Sequence, residues 1–69
     1  MKRKLHHYVG RIVRLNHQLF LEIAKQAKAK GMALENSFLV SGVSQGVRRL
    51  ICYRDNLRIL VDARDVVLV

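Results

Sequence analysis

The stretch Tyr8-Val9-Gly10-Arg11-Ile12-Val13-Arg14-Leu15-Asn16 decides how this 69-residue chain folds. Its β-branched content reads as a strand over Tyr8–Leu15, with Arg11, Val13 and Leu15 sharing one side. Asn16 then offers a helix N-cap, because its short side-chain oxygen can accept from the free N–H groups of a first turn. Beyond it Leu19, Phe20, Ile23, Ala24 and Ala27 form one apolar stripe at helical spacing. Lys25, Lys28 and Lys30 gather where the helix dipole favours positive charge, and Gly31 suits the left-handed residue that ends a helix. The spacing predicts a helix over 17–30. One rival reading stays open, since Val9, Ile12, Val13, Phe20, Ile23, Ala24 and Ala27 also fit a single helical stripe from 9 to 27. Gly10, Asn16 and the β-branched residues count against it.

After Gly31 the pattern turns to β. Phe38–Val43, Val47–Tyr53, Leu57–Val61 and Val66–Val69 are aliphatic runs divided by Ser44-Gln45-Gly46, Arg54-Asp55-Asn56 and Asp62-Ala63-Arg64-Asp65. Such short connections predict antiparallel neighbours throughout, a meander. Neither face of the second run is cleanly apolar, as a curved sheet that changes its buried side would give. The expected fold is α+β, in the order β-α-β-β-β-β, with one helix packed on a bent, small-barrel-like antiparallel sheet. Residues 1–7 read as a basic mobile arm and 8–69 as a single domain.

The net charge is +8, and its distribution is uneven. Residues 1–30 hold eight basic residues against Glu22 alone, whereas 31–69 hold five against four acidic ones. Self-repulsion of that kind opposes compaction, but it attracts polyanions and acidic protein faces. The candidate macromolecule-binding residues are therefore Lys2, Arg3, Lys4, Tyr8, Arg11, Arg14, His17, Lys25, Lys28 and Lys30. Tyr8, together with Tyr53, could add stacking. Arg54, Arg58 and Arg64 have acidic neighbours in sequence and read as solvated surface.

Chemistry finds little to work with. A domain of this size buries only about 60% of its unfolded surface, leaving few residues to wall a cleft, so no enzyme is expected. Asp55, Asp62 and Asp65 fall in turns, where carboxylates bond backbone N–H groups. His6, His7, His17 and Cys52 lack metal-ligand spacing, so neither metal nor cofactor is expected. Cys52 lies in an apolar run and reads as a small buried hydrophobe. A composition that is 51% hydrophobic excludes disorder as the main state, yet no run reaches the length of a membrane span. A cytoplasmic protein with no membrane partner is expected, its oligomeric state left open.

Three resemblances follow. Arg11-Ile12-Val13-Arg14-Leu15-Asn16 and a helix ending at Gly31 look like the opening of a ribbon-helix-helix repressor. That resemblance implies a basic strand in the major groove and a second helix through Ser41, Gly42, Ser44 and Gly46. The C-terminal run of strands is similar to Sm-like and other small barrels. This implies a structural or oligomer-forming RNA-binding module; in such a module the apolar strand Val66–Val69, read as an edge, would serve for pairing. In size, charge and layout the whole chain resembles small phage-encoded regulators that bind host RNA polymerase. The expected function is regulation of transcription, through a basic surface that binds DNA or RNA, or an acidic protein such as an RNA polymerase subunit.

Overall fold

In the computed structural model, which describes residues 5–69, Asn16 divides strand from helix as its chemistry requires. Strand β1 (Ile12–Leu15) ends at it and helix α1 (His17–Ala29) begins after it. The Asn16 side-chain oxygen accepts from the Leu19 N–H at 2.8 Å. At the other end Gly31 takes φ +79°, and the N–H groups of Gly31 and Met32 donate to the carbonyls of Lys28 and Ala27, each at 2.9 Å. That pair of bonds is a Schellman closure. The long-helix alternative is thereby excluded.

Four further strands follow: β2 (Phe38–Ser44), β3 (Arg49–Arg54), β4 (Leu57–Val61) and β5 (Val66–Leu68). All pairings are antiparallel, and the sheet order is β4-β3-β2-β1-β5. This is the α+β layout expected, with the helix inserted between the first and second strands. Several elements differ from expectation. The second run begins at Arg49, because Val47 and Arg48 belong to the preceding turn and Arg48 takes φ +51°. A strand and turn occupy residues 38–48, so the second helix that a ribbon-helix-helix protein needs there is not formed.

The meander stops at β4. Strand β5 pairs with β1, so the last two strands lie at opposite edges of the sheet. The 3₁₀ turn Ala63–Asp65 redirects the chain between them, with Asp62 as its cap. Asp65 then fastens the turn to the start of the helix. Its carbonyl accepts from the Asn16 N–H at 2.8 Å, and its carboxylate accepts from the Asn16 side-chain amide at 3.1 Å. The same residue that caps α1 thus delivers β5 to β1.

The core is the inner face of this sheet. Val13, Leu15, Phe38, Val40, Leu50, Cys52, Val61 and Val66 are all buried, with Leu19, Phe20 and Ile23 of α1 packed against them. Alternation is strict along β3, where Leu50 and Cys52 are buried between the more exposed Arg49, Ile51 and Tyr53. The strand does not exchange its faces. A bulge between Val40 and Gly42 absorbs one residue of β2 and keeps both halves of that strand in phase with the core.

At the N-terminal edge, Leu5–Tyr8 form a 3₁₀ turn, where an arm had been expected for 5–7 and a strand from 8. Its Tyr8 is only 9% exposed and belongs to the core, because the turn folds the ring inward. The rest of the arm lies outside the described residues.

Asn36 continues the pairing of β1 beyond the start of β2. Its side-chain amide accepts from the Leu15 N–H at 2.7 Å and donates to the Leu15 carbonyl at 2.9 Å, standing in for a backbone partner. Leu15 is buried, so Asn36→Ala leaves both groups short of a partner. The expected cost is about 1–3 kcal/mol. A thermal melt should show a loss of roughly 4–8 °C per kcal/mol, and an unchanged melting temperature would refute this role.

Candidate functional site

The cationic residues expected to act together are divided by the fold. Arg14 faces outward from β1, on the side of the sheet away from the core. Lys25 and Lys28 are exposed on α1, whose apolar residues pack against the inner face, and Lys30 is exposed just beyond its end. Arg14 and the helix lysines therefore belong to different surfaces. His17 is exposed at the first turn of α1. Arg11 is exposed just ahead of β1 and lines a shallow open depression with His7, Leu68 and Val69. Tyr8 is buried and cannot stack on a partner, which corrects its place in the candidate set. Lys2, Arg3 and Lys4 lie outside the described residues.

Only two of the described basic side chains have a carboxylate partner. Arg54 meets Glu35 at 2.7 Å and Arg64 meets Asp62 at 3.4 Å. Arg58, expected to be compensated in the same way, forms no ion pair among the described residues. The Arg64 backbone N–H, and then its guanidinium, hold the Asp62 carboxyl below its ordinary range, with Arg49 adding to the effect. This is the role of a turn carboxylate.

The outward-facing strand residues form a surface of which the sequence singles out only Arg14 and Tyr53. Register places Arg58 opposite Tyr53, Tyr53 opposite Leu39, and Leu39 opposite Ile12. The Val69 N–H donates to the Ile12 carbonyl at 3.1 Å and carries the row to the far edge. One row of side chains therefore crosses the whole sheet. Tyr53 is 39% exposed, Ile12 42% and Leu39 44%. Leu60 and Val67 extend the exposed apolar area on either side, with Val67 opposite Arg14. The outward charges on the strands are Arg14, Arg49 and Arg58, with no carboxylate among them. An apolar centre with arginines around it has the anatomy of a protein interface more than that of a solvated sheet face.

Ile12 and Leu39 of that row look like core residues in the sequence, because they lie in apolar runs. The available signal was the lack of a polar face along Leu50–Tyr53, which amounts to two apolar faces rather than one.

Elsewhere the chemistry is sparse. Cys52 is fully buried, and burial pushes its thiol up to about 11. No three His, Cys, Asp or Glu side chains converge on a metal position among the described residues. No helix among them is long and apolar enough to cross a membrane. No protein-family model, curated protein or solved structure matches the chain.

Proposed function

We propose that the protein is a non-enzymatic regulator of transcription that docks, through the outer face of its sheet, on an acidic face of the transcription machinery such as an RNA polymerase subunit. The observation that carries this reading is the row Arg58, Tyr53, Leu39 and Ile12, with Arg14 beside it. Binding energy at protein interfaces concentrates in a few central aromatic, aliphatic and arginine side chains. Phosphate recognition needs a different surface, in which clustered cations dominate and apolar contacts contribute little. The assignment to transcription comes from the likeness in size, charge and layout to small phage-encoded regulators, and regulation by occupancy needs no active site.

Immobilised full-length chain in a lysate of the cells that encode it, with and without nuclease, tests the reading. RNA polymerase subunits, identified by mass spectrometry, should be retained after nuclease treatment. Capture should persist at physiological salt, because an apolar centre holds affinity while screening slows encounter. Capture that disappears with nuclease, or that weakens by roughly a hundredfold or more over a modest rise in salt, would assign the surface to nucleic acid instead.

A further inference from the structure

The geometry points to a short acidic amphipathic helix as the part of the partner that occupies the outer face, its axis lying along the row from Arg58 to Ile12. This inference rests on the docking reading above and adds the shape and chemistry of what docks.

Spacing makes the first argument. Facing side chains in an antiparallel sheet stand about 5 Å apart, so the three steps from Arg58 through Tyr53 and Leu39 to Ile12 span about 15 Å. One turn of an α-helix advances about 5.4 Å, and three turns about 16 Å. An extended segment repeats its same-face side chains every ~6.6 Å and would be about 5 Å out of step after three repeats. A helix stays in step with the row.

Charge makes the second. Arg58 closes the row on β4, and Arg14 stands one same-face position from Ile12 on β1. Among the described residues neither has a carboxylate partner, and no outward strand residue supplies one. A docked helix therefore brings aliphatic side chains for Ile12, Leu39 and Tyr53, with Asp or Glu near both ends to meet the guanidinium groups. A second copy of the chain is a poor occupant, because the exposed face of its α1 presents Lys25 and Lys28 to these same arginines. Single-stranded nucleic acid would find one flat ring, Tyr53, where successive bases require several.

Titration of the isotope-labelled full chain tests the inference. The probe is a helical peptide of about 14 residues, with Leu at i, i+4 and i+7 and Glu flanking that stripe. Controls are the same peptide with a central proline, its Lys-for-Glu counterpart, and an oligothymidylate of similar length. The acidic helix should shift the amide resonances of Ile12, Leu39, Tyr53 and Arg58. Proline should weaken it at least tenfold, and so should Leu39→Glu, whose spectrum reports whether the exposed substitution leaves the fold intact. Equal binding of the proline peptide, shifts confined to Lys25 and Lys28, or no binding would overturn the helix as occupant. Nuclease-resistant capture of polymerase would still uphold the docking reading in those cases. Shifts along the row from the oligonucleotide, with the peptide inert, would overturn both.

Discussion

Phe38→Ala is expected to leave the domain largely unfolded at 37 °C. Phe38 is 1% exposed and lies opposite Val13 on the inner face, at the junction of β1 and β2. Removing a buried phenylalanine costs about 3–5 kcal/mol, as lost transfer energy plus the cavity left behind. A chain of this length has roughly 3–10 kcal/mol in total, so one such change removes most of the margin. The check is a urea titration followed by circular dichroism, with Leu60→Ala as comparator. Leu60 is 41% exposed on the outer face and should cost less than about 1 kcal/mol. Equal effects would mean that the faces of the sheet are assigned the wrong way round.

Local chemistry made much of this fold legible. Asn16 and Gly31 mark the ends of α1 because capping depends on residues within a few positions of each other. The hairpins joining β2, β3 and β4 follow from turn residues between short apolar runs. The partner of β5 was not legible, because nothing in Val66-Val67-Leu68 distinguishes β4 from β1 as a neighbour. The choice is made by Asp65, which bonds to Asn16 from the far end of the chain. Tyr8 was misread for a related reason. Its aromatic ring beside basic residues suits a binding arm, and only the tertiary placement of the 3₁₀ turn shows it entering the core.

The candidate site was less legible than the fold. The charge asymmetry between the two halves is real, but proximity in sequence grouped Arg14 with lysines that the sheet sets on another surface. Arg58 was discounted for its neighbour Asp55, although register places it at the end of the row through Tyr53 and Leu39. Ile12, Leu39 and Tyr53 come from three strands and become neighbours only through pairing. A pattern of apolar runs does not say which apolar residues remain outside.

Reversing Arg14 and Arg58 together to Glu is accordingly expected to weaken partner binding by at least a hundredfold. Each change removes an attraction to a carboxylate and puts a repulsion in its place. A like-charge contact in an interface costs several kcal/mol, against about 1.4 kcal/mol for each factor of ten. Both side chains are exposed and free of ion pairs in the described residues, so the fold should survive. Lys25→Glu with Lys28→Glu changes net charge by the same amount on the helix surface, and serves as the control for the overall field. The decisive measurement is the dissociation constant of each double variant for the partner that the parent chain captures after nuclease treatment. The outer-face pair should lose at least a hundredfold and the helix pair less than tenfold. A helix pair that loses as much as the outer-face pair, or an outer-face pair that binds like the parent, would contradict the claim that the sheet face holds the partner.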